Sequence, residues 1–145
     1  MNAAVIVAAG RGTRMGPEVE KLFLDLAGRP VLAHTWKRFD GAARISEIVL
    51  VVREGMAARC EDLAKRCGFR KPFRLITGGA ERQDSVWNGL AALSAAAQVV
   101  AIQDAARPCT TESLINATLE AARATGAAVA AQRVTDTIKE SDDGV

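Results

Sequence analysis

Apolar residues along this chain fall in short unbroken runs, separated by stretches where apolar and polar residues mix at helical spacing. Unbroken runs rich in β-branched residues predict strands buried on both faces. Ala3–Ala8, Ile48–Val52, Phe73–Thr77, Val99–Gln103 and Ala127–Gln132 read this way. The stretches between them predict helices over Val31–Arg38, Met56–Cys67, Ser85–Ala95 and Thr111–Ala124. Pro30 suits a first helical turn, Thr110 or Thr111 an N-cap, and Gly68 and Gly126 helix ends. Strands alternating with helices predict the α/β class, a mostly parallel sheet with helices on both faces. No repeat, low-complexity tract or linker interrupts the pattern.

The first strand runs into Ala8-Ala9-Gly10-Arg11-Gly12-Thr13-Arg14-Met15-Gly16, with Lys21 shortly after. Glycines let backbone N–H groups turn inward on an anion, and Arg14 and Lys21 can neutralise phosphate oxygens. The end of a parallel strand is where α/β proteins bind nucleotides. The spacing is not that of a Walker loop, because Gly-x4-Gly-Lys-Ser/Thr is absent. Nor is it a dinucleotide fingerprint: Met15 stands at the third glycine position, and Gly16-Pro17 breaks the helix that should begin there. A long loop is expected instead.

Three more segments fall at strand ends. In Gly78-Gly79-Ala80-Glu81-Arg82-Gln83-Asp84-Ser85-Val86, the double glycine allows close backbone approach to a base or sugar. Ser85 opens the next helix, either as an N-cap or as a ligand contact. In Ile102-Gln103-Asp104-Ala105-Ala106-Arg107-Pro108, an aspartate at a buried strand tip needs a partner. That partner is either a Mg²⁺ ion facing a triphosphate or Arg107 in a local ion pair. Val134-Thr135-Asp136-Thr137-Ile138-Lys139 is a weaker signal, because Thr and Lys there also suit a solvent-facing edge.

Composition narrows the partners. At 145 residues the chain suits one domain with one core. With 49% hydrophobic and 25% charged residues it reads as soluble and globular. Aromatics are 4% and Tyr is absent, so no stacking surface for single-stranded nucleic acid is expected. A net charge of +2 without a basic block argues against DNA or a membrane surface. No run reaches membrane-spanning length and no leader precedes the first strand, so a cytoplasmic location is expected. Cys60, Cys67 and Cys109 form no Cys-x-x-Cys pair and there is one histidine, which makes zinc improbable. Cys60 and Cys67 share a helix face and read as buried small residues. Arg133–Glu140 reads as extended and Ser141-Asp142-Asp143-Gly144 as a hairpin turn. Only Val145 follows, so the chain is expected to stop inside a structural element.

Taken together, the glycine loop with Arg14 and Lys21, the Pro30-Val31-Leu32 segment, Gly78-Gly79-x-x-Arg82-x-x-Ser85-Val86, Asp104-Ala105-x-Arg107-Pro108 and Asp136-Thr137-Ile138-Lys139 resemble one family. It is the 2-C-methyl-D-erythritol 4-phosphate cytidylyltransferases of isoprenoid synthesis, and the resemblance spans essentially the whole chain. It implies a Rossmann-like nucleotidyltransferase fold and the transfer of CMP from CTP to methylerythritol phosphate, with release of pyrophosphate. It implies catalytic roles for Arg14 and Lys21. Nucleotide contacts are implied for Ala8, Ala9, Gly10, Gly12, Gly79, Ser85 and Ala105. Asp104 would bind Mg²⁺, and Arg107 and Thr137 would face the acceptor. Residues 1–132 would form the nucleotide-binding domain. Residues 133–145 would begin a dimerisation arm, cut short, of a homodimer. His34, on the first helix, reads as structural.

Two positions depart from the family pattern. Glu20 precedes Lys21 where proline is usual, and would either pair with Lys21 or point away. Gln103 stands where histidine is common. A ribitol-phosphate cytidylyltransferase, a CTP-binding module without turnover and a nicotinamide oxidoreductase are the competing readings. The last is opposed by the Gly16-Pro17 break.

Overall fold

The computed structural model describes residues 1–10 and 20–135. In chain order it contains β1 (Asn2–Ala8), a 3-10 turn (Lys21–Phe23), β2 (Asp25–Leu26), β3 (Arg29–Pro30), α1 (Val31–Gly41), β4 (Glu47–Val52), α2 (Ala57–Cys67), β5 (Phe73–Thr77), α3 (Arg82–Ala91), β6 (Val99–Asp104) and α4 (Glu112–Thr125). The unbroken apolar runs become a parallel sheet of order β5-β4-β1-β6. β1 and β4, covered on both sides, have no polar face to show, which is why they lack alternation; β5 and β6, at the sheet edges, are half-buried, with Ile102 of β6 46% exposed.

Successive side chains point to opposite faces. Ala4, Ile6 and Ala8 of β1, with Ile48, Leu50 and Val52 of β4, enter the larger core beside Leu32, Trp36 and Phe39 of α1, Leu63 of α2, and Ile115 and Leu119 of α4. Trp36 packs against Phe69 and Phe73, with ring centroids 4.8 and 4.9 Å apart. Val5, Val49 and Val51 face the other way, into a smaller core with Leu90 of α3. Helices therefore cover both faces, as expected.

Local chemistry sets the helix ends. Thr111 caps α4, its hydroxyl accepting from the Leu114 N–H at 3.2 Å. Gly68 closes α2 in the left-handed conformation, φ 65°. Helix α3 begins at Arg82, three residues before the expected start, so Ser85 neither opens nor caps it. Glu81 holds the cap position, and the Asp84 carboxylate accepts from the Glu81 N–H at 3.0 Å.

Two further expectations fail. Ala127–Gln132 forms no strand: the segment is unpaired and mostly exposed, with Val129 89% exposed. Its alanines have low strand propensity, and no described strand offers it a ladder. Of the cysteine pair, only Cys60 is buried; Cys67 is half-buried. Burial pushes the Cys60 thiol up to about 11, against the opposing charge of Arg59.

The small hairpin β2–β3 was not expected. Ala27 and Gly28 take positive φ, 51° and 80°, the pair of angles a tight two-residue turn needs. His34 Nε2 donates to the Leu26 carbonyl at 2.6 Å and ties this hairpin to α1, in keeping with its structural reading.

Gly89 is where α3 touches the sheet. A Cβ there would lie 2.5 Å from Val5 Cγ1 and 2.8 Å from Val51 Cγ2, both on buried strands. Helix propensity favours Ala over Gly by roughly 1 kcal/mol, whereas overpacking a tight core costs about 1–3 kcal/mol. The clash should win. Gly89→Ala is expected to lower the urea midpoint; a raised midpoint would refute this close approach.

Candidate active site

All strands of the sheet run the same way, so their carboxyl ends share one rim. β1 leads into Ala8-Ala9-Gly10, β4 into Arg53-Glu54, β5 into Gly78-Gly79 and β6 into Asp104-Ala105. A cleft of about 930 Å³ crosses this rim and is lined by all of these, together with Lys21, Arg82, Ser85 and Arg107. The chain steps from β1 to β4 to β5 on one side, then returns as β6 on the other side of β1. That reversal opens a crevice at the strand ends, the usual ligand position in open α/β sheets.

The expected nucleotide contacts Ala8, Ala9, Gly10, Gly79, Ser85 and Ala105 all line this cleft. Gly12, Arg14 and Thr137 lie outside the described residues. The double glycine is sterically required. A Cβ on Gly78 would fall 2.3 Å from Ala9 Cβ, and one on Gly79 would fall 2.2 Å from Asp84 Cβ. Ser85 is buried, and its hydroxyl is used internally: it accepts from the Gly79 N–H and donates to the Glu81 carbonyl, both at 3.1 Å. In this state Ser85 shapes the glycine turn.

Asp104 sits at the tip of β6, and Arg82 and Arg107 both reach it. Arg82 Nε and Nη2 donate to Oδ1 at 3.2 and 2.9 Å, and Arg107 Nε donates to Oδ2 at 2.9 Å. The Asp104–Arg107 ion pair is therefore present, and Arg82 adds a second one. Gln103 staples the turn that follows. Its amide donates to the carbonyls of Asp104 and Arg107 and to the Thr110 hydroxyl, at 3.2, 3.3 and 3.1 Å. Thr35, buried in α1, donates to the Ala105 carbonyl at 2.7 Å. Sequence reasoning missed Thr35, Arg82 as an Asp104 partner, and Arg53. Only Arg82 carried a sequence signal, as part of the glycine motif.

Lys21 begins the 3-10 turn and lines the cleft. Glu20 does not pair with it. Its carboxylate points away, to Arg53 and Arg59.

Among the described residues, no three His, Cys, Asp or Glu side chains come together as a metal cage. The cleft lining holds the carboxylates of Glu54, Glu81 and Asp104 beside Lys21, Arg53, Arg82 and Arg107. Asp104, at the strand tip, suits a hard divalent cation that takes most of its oxygen ligands from outside the protein.

Burial pushes the Asp104 carboxyl up, but the hydrogen bonds and charges of Arg82 and Arg107 outweigh it and hold the group below the ordinary carboxylate range. A depressed folded value means the pairing stabilises the fold above the unfolded-state value. That contribution is lost as pH falls through the folded value. Arg82→Gln and Arg107→Gln should each raise the Asp104 midpoint followed by carboxyl ¹³C NMR, Arg82→Gln by more. An unmoved midpoint in both variants would contradict the pairing.

The family model described as 2-C-methyl-D-erythritol 4-phosphate cytidylyltransferase matches residues 2–145. A relative of that name from Pelotomaculum thermopropionicum is 44% identical over 138 residues, covering 94% of this chain and 58% of its own. Another from Alkaliphilus oremlandii is 41% identical over 144 residues, covering 99% and 61%. A crystal structure of a 4-diphosphocytidyl-2C-methyl-D-erythritol synthase superposes with a TM-score of 0.79 at 25% identity, covering 99% of this chain and 65% of that one. The chain thus spans about three fifths of the length of the curated relatives it matches. By its sequence and by the sheet that carries the cleft, the chain belongs to the 2-C-methyl-D-erythritol 4-phosphate cytidylyltransferase family.

Proposed function

We propose that this chain carries the nucleotide site of an enzyme that transfers CMP from CTP to 2-C-methyl-D-erythritol 4-phosphate. The observation that carries the reading is convergence: Ala8–Gly10, Lys21, Gly79 and the Asp104–Arg107 turn line one cleft at the strand ends. A phosphate oxygen of the acceptor attacks the α-phosphorus of CTP. The bond from that phosphorus to the α–β bridging oxygen breaks, and pyrophosphate leaves with the electron pair. The acceptor phosphate is largely ionised at neutral pH, so no general base is required. Placement and fixed positive charge do most of the work in such transfers.

In this reading, backbone at Ala8, Ala9, Gly79 and Ala105 holds the cytidine, with Ser85 keeping the glycine turn in shape. Gly10 and Gly12 form the phosphate loop. Arg14 and Lys21 meet charge as it builds on the α-phosphate and the leaving pyrophosphate. Asp104 would hold a Mg²⁺ ion shared with the nucleotide, which supplies further charge neutralisation. For that, Arg82 and Arg107 turn from the carboxylate to phosphate oxygens, a natural exchange for guanidinium groups. Arg107 and Thr137 face the acceptor phosphate. Residues 1–132 form the nucleotide-binding unit, and 133–145 begin the arm of a cytoplasmic homodimer.

The test is pyrophosphate release by this chain with CTP, Mg²⁺ and methylerythritol phosphate. Release should require all three, and ribitol phosphate should be a poor substitute. Lys21→Ala should lower turnover by about a hundredfold while CTP affinity changes only a few-fold. Failure to bind CTP would refute the reading, and faster release with ribitol phosphate would reassign the acceptor.

A further inference from the structure

The turn that carries Lys21 is gripped from outside the phosphate loop. Both Glu20 carboxylate oxygens are taken by arginines from other elements. Arg53, just past β4, donates to Oε1 at 2.8 Å, and Arg59, on the first turn of α2, donates to Oε2. The Arg59 guanidinium also lies over the Phe23 ring, 3.7 Å from its centroid. The Phe23 N–H donates to the Glu20 carbonyl at 2.8 Å and closes the turn. The residues on either side of Lys21–Leu22 are thus held by one pair of guanidinium groups, while Lys21 reaches the cleft.

An isolated exposed ion pair contributes little to stability. Here one carboxylate joins two guanidiniums and a ring, and the effect falls on placement. Lysine is a point charge on a flexible stem, so the position of its ammonium depends on how firmly its backbone is held. The clamp also keeps Glu20 off Lys21, leaving that ammonium unpaired with any carboxylate among the described residues. We propose that Glu20, Arg53 and Arg59 are positioning residues that aim Lys21 at the phosphates of the bound nucleotide. The inference rests on the proposed function, in which Lys21 acts on phosphate.

The test is a double-mutant cycle between Glu20→Gln and Lys21→Ala, read by pyrophosphate release, CTP calorimetry and amide exchange across residues 20–24. Glu20→Gln should lower kcat about tenfold with KM for CTP nearly unchanged, and should speed exchange across the segment by a similar factor. In the Lys21→Ala background it should cost no further turnover, because the group it positions is gone. Arg59→Gln should repeat this pattern. Independent losses that multiply, or unchanged exchange across 20–24, would overturn the clamp. If the unsubstituted chain binds CTP but releases no pyrophosphate, the proposed reaction fails by itself. The clamp is then decided by the Lys21 ¹⁵Nζ signal in the CTP complex: a CTP-induced shift that Glu20→Gln diminishes supports it, and an equal shift with and without the Glu20 carboxylate overturns it. Absence of CTP binding overturns both proposals.

Discussion

Parallel pairing is the constraint on which the rest of this structure depends. β1 is hydrogen-bonded on one side to β4 and on the other to β6, so its backbone is fully committed along its length. Every strand then delivers its carboxyl end to the same rim, and every return requires a crossover that buries a helix on one face or the other. The apolar strands are the cost of that arrangement, and the shared rim is its consequence. Ala8–Gly10, Gly78–Gly79 and Asp104–Ala105 are far apart in sequence, yet they line one cleft because the sheet gives their strands no other orientation.

Charge around the rim follows one repeated device. Two carboxylates, Glu20 and Asp104, are each held by two arginines drawn from different segments. On Asp104 the guanidiniums outweigh burial and keep the carboxyl ionised. Guanidinium groups bind phosphate as readily as carboxylate, so under the proposed function the Asp104 cluster exchanges carboxylate for phosphate. The Glu20 cluster holds the Lys21–Phe23 turn, where the contact of Arg59 with the Phe23 ring adds a fixed direction. One cluster is suited to switching partners, the other to holding a segment still.

Most of the sheet was legible because its signals are local. Phe73–Thr77 is the same strand in the sequence and in the structure, and β1, β4 and β6 differ from their expected bounds by a residue or so. The start of α3 was misread. Ser85 resembles a cap, but Glu81 and Asp84 satisfy the helix terminus earlier, and the Ser85 hydroxyl turns back to Gly79. Ala127–Gln132 was misread for a different reason. An apolar run becomes a strand only where a neighbouring strand completes its ladder, and small alanine side chains bury too little area to compel one. Of the site, most lining residues and the Asp104–Arg107 pair could be anticipated from glycines and charges at strand ends. The partners from distant segments, Arg82 for Asp104 and Arg53 and Arg59 for Glu20, could not.

The sequence alone determined the four strands of the sheet and the helices that alternate with them, the α/β class, the glycine turns at the strand ends and the family resemblance. All of these are written in windows of a few residues, where spacing and turn chemistry act directly on the backbone. The tertiary structure decided which charges meet. Glu20 pairs with arginines 33 and 39 residues away, and Asp104 with one 22 residues before it as well as its near neighbour Arg107. Whether a carboxylate opposes a lysine or is turned away from it depends on distances between elements that only packing sets. That is why Glu20 beside Lys21 was ambiguous on the page and is resolved in the fold.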